Sequence, residues 1–334
     1  MHNYGQYKDK KILIIGGTGT IGYHLIHRLL TEQPEVIRIY SRDEHKQYEM
    51  GIEFREFSKR LRFLIGDVRD QRRLSRAMEG VDYVFHLAAM KHVPSCEYNP
   101  FEAVQTNVLG TQNVIQAALE NNVTKVLFTS TDKAISPTNT YGATKLTAER
   151  LISAAENQKG SKVTVFSSVR FGNVMGSRGS VIPLFKKQIL EDGSITVTDT
   201  NMLRYMMTPS QAIELILEAN DRAQGGEVFV LKMPVIKIGD LAEVIIEIVK
   251  ERYQINSEVR IHNIGLRPGE KRYEELMTFE EKLIAEEELN MYIIPSVYQV
   301  NPSLNTLFPT DSHANLNPIH KSLIRDWIMQ ENLI

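Results

Sequence analysis

The sequence predicts an α/β protein with a doubly wound parallel sheet and a smaller C-terminal α/β domain. Three observations predict this fold. A short apolar strand, Lys11 to Ile15, leads directly into the glycine-rich segment GGTGTIG and then into a helical pattern. Apolar strand segments alternate with helical segments as far as Thr129. Beyond about Gly176 this alternation loosens, which indicates a second, smaller unit that closes over a substrate cleft.

Composition limits the class of protein. The chain of 334 residues, 42% apolar and 24% charged, is typical of a soluble globular protein with one large or two modest domains. Its net charge of −2 gives no general attraction to nucleic acid or anionic membranes. No apolar run has membrane-spanning length, and the first residues lack the apolar segment of a signal peptide. Cys96 is the only cysteine, so we expect a reducing cytoplasm and no cysteine-based metal site.

The domain prediction follows from these patterns. We expect residues 1–175 to form a Rossmann-like dinucleotide-binding domain, with segments near 205–235 that return to its sheet. Residues 176–334 should form mainly a substrate-binding domain that is interwoven with the first. Within it, IPLFKKQILEDG, TPSQAIELILEANDRA and DLAEVIIEIVKERYQ have helical patterns, VFVLKMP has that of a strand, and SITVTDTNMLRYM resembles a hairpin.

The glycine-rich segment after the first strand has the composition of a pyrophosphate-binding turn. Gly16, Gly19 and Gly22 serve the tight turn, the close approach of the ligand and the packing of the helix on the sheet. The helix N-terminus offers free N–H groups to phosphate oxygens. The spacing GxxGxxG differs from the commoner GxGxxG, but the strand before it and the helix after it support the prediction. The residues that we expect to contact the cofactor here are Gly16, Thr18, Gly19, Thr20, Ile21 and Gly22.

The second strand, VIRIY, is followed by a polar turn that bears on the choice of cofactor. An acidic residue directly after this strand would bind a ribose 2′-hydroxyl. Here the strand is followed by Ser41 and Arg42, with Lys46 close by. A hydroxyl and two cations suit a 2′-phosphate, so we predict NADP. Asp43 leaves ribose binding open as an alternative.

The ends of the third and fourth strands supply further predicted cofactor contacts. Asp67 and Val68 end the strand RFLIGDV, where a carboxylate can accept from an adenine amino group. Ala88 and Ala89 end the strand DYVFHLAA, where small side chains let a cofactor lie against the backbone. Lys91 follows and is well placed to reach a bound anion.

The segment TSTDKAISPTNTYGATK contains the candidate catalytic residues. Thr131, Asp132 and Lys133 follow the buried strand KVLFTS, and Tyr141 and Lys145 come shortly after them. On a helix, positions i and i+4 share a face, so Tyr141 and Lys145 should be neighbours. An ammonium beside a phenol lowers the pKa of the phenol. Such a tyrosine can exchange a proton with a sugar hydroxyl near neutral pH.

Basic residues in the C-terminal half suit a diphosphate. Arg170, Arg204 and Arg267 have guanidinium groups that match phosphate oxygens in bidentate fashion. Glu270, in the run RPGEK, is a candidate acceptor for a ribose hydroxyl. On its own, RPGEK also fits an ordinary charged turn.

Taken together, the motifs resemble those of a known family. GGTGTIG, YSRDEHKQYEM, GDVRD, HLAAMKHVP, STDKA, YGATK, RFGNVMGSRGSVIPLF and RPGEK are similar to those of extended short-chain dehydrogenases/reductases. More closely, they resemble bacterial UDP-N-acetylglucosamine 4,6-dehydratases that invert C5 and open pseudaminic acid synthesis. The resemblance covers roughly residues 8 to 300. Relatives that retain the C5 configuration have methionine at the position of Tyr141, which favours the inverting class.

The resemblance implies a mechanism. Tyr141, supported by Lys145, takes the C4 hydroxyl proton while the nicotinamide takes a hydride from C4, and Thr131 bonds near that oxygen. Lys133, as a neutral amine, removes the C5 proton, and protonated Asp132 assists departure of the C6 hydroxyl as water. The hydride then returns to C6. The residues that the resemblance places against the nucleotide sugar are Lys91, Arg170, Asn173, Val181, Thr198, Arg204, Arg267 and Glu270.

The resemblance also implies partners. The cofactor should be tightly held NADP, and the substrate UDP-N-acetylglucosamine. The assembly should be a homodimer that uses helices around residues 99–121 and 141–158, or a larger ring such as a hexamer. Four alternatives stay open: a GDP-linked substrate, a C5-retaining dehydratase, a nucleotide-sugar epimerase, and a non-catalytic NADP-binding regulator. Asp132 and Lys133 argue against the epimerase, which needs only the Thr/Tyr/Lys set.

Overall fold

A computed structural model describes residues 5–266, 269–296 and 317–334 of the chain. Within these ranges, no helix combines the length and the apolar character needed to cross a membrane.

The strands and helices follow one another in the order expected of an α/β protein. The strands are β1 (Lys11–Ile15), β2 (Val36–Ser41), β3 (Leu61–Ile65), β4 (Tyr83–His86), β5 (Lys125–Thr129), β6 (Val165–Arg170), β7 (Asn173–Val174), β8 (Ser194–Val197), β9 (Leu203–Met207), β10 (Val228–Leu231), β11 (Val235–Lys237), β12 (Arg260–Asn263), β13 (Glu286–Glu287) and β14 (Met291–Ile294). The helices are α1 (Thr20–Leu30), α2 (Glu44–Glu53), α3 (Gln71–Met78), α4 (Val93–Tyr98), α5 (Pro100–Ala103), α6 (Gly110–Glu120), α7 (Thr140–Gln158), α8 (Val181–Asp192), α9 (Pro209–Arg222), α10 (Ile238–Tyr253), α11 (Phe279–Ile284) and α12 (Lys321–Gln330). A π-helical turn, Val104–Leu109, joins α5 to α6.

The large sheet has the strand order of a doubly wound fold. Its order is β13-β14-β10-β6-β5-β4-β1-β2-β3, and neighbouring strands from β3 to β10 are parallel. The pairs β10–β14 and β14–β13 are antiparallel. The order reverses at β1 and β4, and ligands of such sheets bind outside the carboxyl ends of the strands at this switch point. The α/β fold with a Rossmann-like parallel sheet is therefore confirmed.

Both faces of the large sheet are covered, which is why its central strands are almost continuously apolar. Alternate residues of a strand point to opposite faces. In β1, Ile12 and Ile14 belong to the core that includes residues of α1 and α9, whereas Leu13 and Ile15 belong to the core that includes residues of α3, α6 and α7. The register set by these two cores holds the ends of β1, β4 and β5 at one edge.

The C-terminal half builds a second core. Two small sheets, β11-β9-β7 and β12-β8, accompany α8, α10 and α12. Their apolar side chains form one cluster that includes Ile182, Phe185, Ile245 and Ile324. α9 and β10 return to the large sheet, and a capping box of Thr208 and Gln211 starts α9.

The expected hairpin over SITVTDTNMLRYM is wrong. β8 pairs in parallel with β12, whereas β9 lies between β7 and β11. The turn between β8 and β9 is tied to the start of α10, because the Gly239 N–H donates to the Thr200 carbonyl at 2.9 Å. This hydrogen bond lies where the chain passes from the sheet that contains β8 to the sheet that contains β9.

Candidate functional site

The glycine turn after β1 is shaped to leave its backbone open. Gly16 has a φ of +84°, and a Cβ there would lie 2.8 Å from the Ala88 nitrogen. A Cβ at Gly22 would lie 2.4 Å from the Gly17 carbonyl oxygen. Gly19 caps α1 without a side-chain hydrogen bond, so the first N–H groups of the helix can receive an anion. The turn therefore has the form that a dinucleotide pyrophosphate requires.

This turn forms one wall of a groove of about 660 Å³ at the carboxyl ends of β1, β2 and β4. The predicted cofactor residues that line it are Gly16, Thr18, Gly19, Thr20, Ile21, Gly22, Ser41, Arg42, Lys46, Asp67, Val68, Ala88, Ala89 and Lys91. Tyr141 and Lys145 line an adjoining cavity of about 270 Å³, which shares Ile21, Ala89 and Lys91 with the groove. The arrangement fits a dinucleotide that lies across the sheet edge with one end close to Tyr141.

The polar turn after β2 has its own internal partners. Asp43 caps α2 by accepting from the Lys46 backbone nitrogen at 3.0 Å, and its carboxylate lies 2.5 Å from the Lys46 ammonium. Arg42 lies 3.8 Å from Asp67. Asp43 and Lys46 thus pair with each other at the start of α2, and Arg42 lies near Asp67.

The candidate catalytic residues lie on two neighbouring segments. Asp132 and Lys133 belong to a 3-10 turn just after β5, and Tyr141 and Lys145 lie on the first turns of α7. The two segments touch at Gly142, where a Cβ would lie 2.1 Å from the Lys133 carbonyl oxygen. Glycine at this position therefore allows the turn and the helix to present their side chains to one cavity.

Tyr141 and Lys145 do not form the expected pair. The Lys145 ammonium donates to the Thr129 carbonyl at 2.5 Å and lies 3.8 Å above the Phe128 ring. Burial lowers the pKa of Lys145 to about 7. Burial also raises the pKa of Tyr141, and this outweighs the opposing effects of its hydrogen bond with Thr131 and of the Lys133 charge. The expectation that Lys145 lowers the pKa of Tyr141 is therefore wrong.

Asp132, Lys133 and Glu274 form a buried charge cluster beside Tyr141. The Lys133 ammonium lies 3.1 Å from Asp132 and 2.8 Å from Glu274. Asp132 is buried, and its carboxyl is also hydrogen-bonded to that of Glu274. Burial raises the pKa of Asp132 to about 7, which fits the predicted role of Asp132 as an acid.

The contacts in this cluster disagree with the protonation state that was expected for Lys133. Burial alone would lower the pKa of this ammonium, but the carboxylates of Asp132 and Glu274 outweigh burial and raise it. These contacts therefore favour the ammonium form of Lys133 over the neutral amine that the mechanism needs. Glu274 is the ionised carboxyl of the pair: burial opposes ionisation, but the Lys133 charge holds its pKa down at about 2.

Glu274 is the residue that sequence reasoning missed. It follows RPGEK in the segment KRYEEL, where it looks like one solvated charge among several. Its side chain is only 6% exposed, and its other partners include Arg204 at 3.9 Å. The one available signal was an acidic residue close behind a motif that was already assigned to the site.

The predicted substrate residues gather around two further cavities. A cavity of about 710 Å³ is lined by Lys91, Asn173, Arg204 and Glu270, together with Asp132, Lys133 and Glu274. A smaller one of about 220 Å³ is lined by Val181 and Thr198, and it shares Asn173, Arg204 and Glu270 with the first. Arg267 lies outside the described residues. Because Lys91 lines the cofactor groove, the cavity of about 270 Å³ beside Tyr141 and the cavity of about 710 Å³, these three spaces meet at its side chain.

Arg170 is not a substrate ligand in this structure. Its side chain is fully buried, and it lines none of the cavities described above. The guanidinium lies 2.6 Å from Glu149 of α7 and 2.8 Å from Glu281 of α11, and it donates to the Leu276 carbonyl at 2.9 Å. The expectation that Arg170 binds a diphosphate is wrong, because both of its faces are already occupied by carboxylates.

The chain matches a known protein family and a solved structure. Residues 12–296 match the family of polysaccharide biosynthesis proteins. The X-ray structure of Pen from Bacillus thuringiensis has 55% identity and a TM-score of 0.91, and the match covers 98% of this chain and 99% of that one.

Two curated relatives carry different names. A UDP-N-acetylglucosamine 4,6-dehydratase (inverting) of Campylobacter jejuni is 45% identical over 87% of this chain and 84% of that protein. A UDP-glucose 4-epimerase of Rickettsia rickettsii is 43% identical over 86% of this chain and 84% of that protein. The chain therefore belongs to the polysaccharide biosynthesis protein family, and the resemblance of its motifs to the extended short-chain dehydrogenases/reductases is confirmed.

Proposed function

We propose that this protein is a UDP-N-acetylglucosamine 4,6-dehydratase that inverts C5, the first step of a pseudaminic-acid-type sugar pathway. The single observation that carries the proposal is the placing of Asp132 and Lys133 next to Tyr141, at cavities that adjoin a dinucleotide groove. Water elimination from a sugar needs a proton donor and a proton acceptor beyond the Thr/Tyr/Lys set. The inverting dehydratase of Campylobacter jejuni, at 45% identity, supports the same reading.

Each proposed catalytic residue acts on a particular atom of the sugar. A nicotinamide dinucleotide bound in the groove supplies reversible oxidation and reduction of the sugar carbons. Tyr141 takes the proton of the C4 hydroxyl, and the Thr131 hydroxyl orients the Tyr141 phenol by hydrogen bonding. A ketone at C4 makes the neighbouring C5 proton acidic, and Lys133 removes it.

Departure of the C6 hydroxyl needs a proton. Asp132 is suited to donate it because burial keeps its carboxyl protonated up to about pH 7. With the reduction of C6 that a bound nicotinamide dinucleotide would supply, reprotonation of C5 from the opposite face would then give the L-arabino 4-keto-6-deoxy product.

The nucleotide end of the substrate is assigned to the second pair of cavities. Arg204, Glu270, Asn173, Val181 and Thr198 line the space that leads away from the catalytic cluster. We assign the diphosphate to Lys91, because its side chain lines the cavity that contains Lys133. Arg204 lines the same cavity and belongs to the proposed set, but its guanidinium already donates to the Leu203, Lys271 and Arg272 carbonyls. Arg267 belongs to the same proposed set.

Cofactor, assembly and location are further parts of the proposal. Ser41, Arg42 and Lys46 line the groove beyond β2, and we propose that they bind the 2′-phosphate of a tightly held NADP. We also propose a homodimer or larger homo-oligomer in the cytoplasm.

One NMR time course tests the reaction. The protein is incubated with UDP-N-acetylglucosamine in deuterated water, without added cofactor. We expect a 4-keto-6-deoxy sugar with deuterium at C5 and the L-arabino configuration. Formation of UDP-N-acetylglucosamine's C4 epimer without deuterium at C5 would instead support the epimerase reading that the Rickettsia rickettsii relative suggests. A GDP-linked sugar run in parallel tests the base of the nucleotide.

A further inference from the structure

The buried cluster beside Tyr141 contains one more carboxylate than the proposed reaction uses. Lys133 is assigned to C5 and Asp132 to the C6 hydroxyl, but the shortest contact of the Lys133 ammonium is with Glu274, at 2.8 Å. Glu274 is 6% exposed and lines the same cavity as Asp132 and Lys133. A buried carboxylate in direct contact with the candidate base affects the proton that this base must lose.

We propose that Glu274 is a positioning residue that holds Lys133 as an ammonium at rest and accepts its proton when Lys133 becomes the base. The inference rests on the proposed function for the role of Lys133, and on the contact geometry for the pairing itself. In the step, an Nζ–H bond of Lys133 breaks, its electron pair stays on nitrogen, and an O–H bond forms on Glu274. The pair keeps the same number of protons and the same net charge, so no external acceptor is needed.

The surroundings of Glu274 support this role. Arg204 lies 3.9 Å from the carboxylate, and the Asn173 amide lies 3.5 Å from it, so the side chain is held without a close competing ammonium. Arg170 donates to the Leu276 carbonyl and pairs with Glu281, which anchors the segment just after Glu274. The charged or titratable groups that face the cluster are Asp132, Lys133, Tyr141, Arg204, Tyr205 and Glu270.

The expected signature is a change in pH dependence. With Glu274 present, the neutral amine forms by transfer inside the pair, so its population does not depend on pH while the pair keeps its proton. In Glu274→Gln the amide cannot accept a proton, and Lys133 must release its own to solvent. The ratio of wild-type to variant rates of C5–deuterium exchange should then fall by about tenfold per pH unit as pH rises through the acidic-to-neutral range. Other titrating groups that are unaffected by the substitution cancel in this ratio.

A second readout does not need catalysis. An amine-specific acetylating reagent is applied to the full-length holoenzyme at a series of pH values, and acetylated Lys133 is quantified by peptide mass spectrometry. The Lys133 side chain is 24% exposed, so the reagent has access to it. Loss of a carboxylate in contact with an ammonium lowers the pKa of that ammonium by about one unit or more, so Glu274→Gln should be labelled about tenfold faster near neutral pH.

Matched variants complete the design. Glu274→Asp keeps the charge and should restore both slow labelling and the wild-type pH dependence in part. Glu280→Gln removes the same charge from an exposed position on α11 and should behave as wild type. Thermal unfolding of each variant checks that the near-isosteric substitution leaves the fold intact.

The outcomes separate the two proposals. Equal labelling of Lys133 in wild type and Glu274→Gln would overturn the pairing, even if the dehydratase reaction is found. A constant rate ratio across pH would overturn the proton transfer. Absence of any keto sugar from wild type, together with faster labelling in Glu274→Gln, would refute the proposed function and leave the contact between Glu274 and Lys133 standing.

Discussion

The chemistry of Lys133 depends more on its neighbours than on its residue type. A lysine after a buried strand is compatible with a loop cation, a phosphate ligand or a base. Its placement between Asp132 and Glu274, beside Tyr141, limits these choices. The same contacts favour its charged form, and we propose that its use as a base depends on proton transfer inside the cluster.

Replacement of Lys133 separates the base from a structural cation. We expect Lys133→Ala to retain cofactor and substrate, since the phosphates are assigned to other residues. Both water loss and deuterium entry at C5 should fall by about 10²–10⁴-fold, the usual contribution of a positioned base. Lys145→Ala should fail earlier, at oxidation of C4. The measurement is the NMR time course in deuterated water, with isothermal titration for binding.

An exposed lysine provides the control for this experiment. Lys59→Ala removes the same group from the surface and should keep the wild-type rate. If Lys133→Ala still exchanged C5 at the wild-type rate, Lys133 would be only a cation that steadies Asp132.

The raised pKa of Asp132 predicts that activity declines at alkaline pH. Its pKa is raised to about 7 in the folded protein, so the protonated acid is lost as pH rises through that value. The rate of keto-sugar formation should therefore decline above about pH 7, by up to about tenfold per pH unit. Asp132→Asn should lose this limb along with most of its activity. Initial rates across neutral and mildly alkaline pH check the prediction, and a rate that continued to rise through pH 8 would contradict it.

The individual site residues could be predicted unequally. Thr131, Asp132, Lys133, Tyr141 and Lys145 lie within one short segment, so their spacing and the preceding strand were enough to bring them together. The pairing of Tyr141 with Lys145 failed because an i, i+4 relation fixes a shared face but not where a long side chain ends. The Lys145 ammonium instead reaches the Thr129 carbonyl.

Contacts between residues of distant segments could not be predicted from the sequence. Glu274 follows β12 in the chain, and no local pattern marks it as buried. Arg170 was assigned to a phosphate because an arginine at the end of a strand looks the same whether it faces a cavity or a carboxylate. Only the folded chain brings Glu149 and Glu281 against it.

At the scale of secondary-structure elements, Arg170 connects one strand and two helices. It lies on β6, and its guanidinium is held between Glu149 of α7 and Glu281 of α11. A buried charge left without its partner is strongly destabilising, because desolvation is no longer compensated. This joint also fixes the approach of the segment that carries Glu274 to the helix that carries Tyr141.

We expect Arg170→Met to lower the free energy of unfolding by about 3–5 kcal/mol, because it strands two buried carboxylates. Arg150→Met is the matched control: that arginine is 48% exposed and lies 3.4 Å from Glu281. Its loss should cost about 1 kcal/mol or less, as for other exposed ion pairs. Urea unfolding followed by circular dichroism measures both. Equal destabilisation by the two substitutions would show that the buried ion pairs of Arg170 stabilise the fold no more than an exposed ion pair does.

The elements themselves were predictable where local pattern and tertiary context agree. Long apolar periods gave α8, α9 and α10, and the strand–glycine–helix order gave the first half of the sheet. The partners of β8 and β9 were not predictable, because pairing depends on distant strands. No helix is predicted from the sequence at α12, although Ile324 and Ile328 of that helix are buried in the second core.

At the scale of the molecule, the cofactor is the first property to test. We expect the protein to purify with NADP(H), because Ser41, Arg42 and Lys46 follow β2 at the place where an acidic residue would favour NAD. Denaturation releases the cofactor, and mass spectrometry identifies it. Arg42→Ala should shift the bound cofactor away from NADP. Recovery of NAD alone from the wild type would contradict this and would assign the ribose contact to Asp43.

Assembly is the property that links the surface of the molecule to its site. Tyr98, Phe101 and Leu109 are 88%, 65% and 50% exposed, and they belong to the segments that lead into α6 and pack near α7. Exposed apolar groups of this size mark interaction surfaces, and a homodimer buries the same patch on both copies. We expect a dimer or larger oligomer at micromolar concentration and a shift towards monomer in Phe101→Glu combined with Leu109→Glu. Tyr48→Glu, which changes a 69% exposed aromatic residue on α2, is the control. Multi-angle light scattering measures all three proteins, and a wild type that is strictly monomeric would refute the assembly.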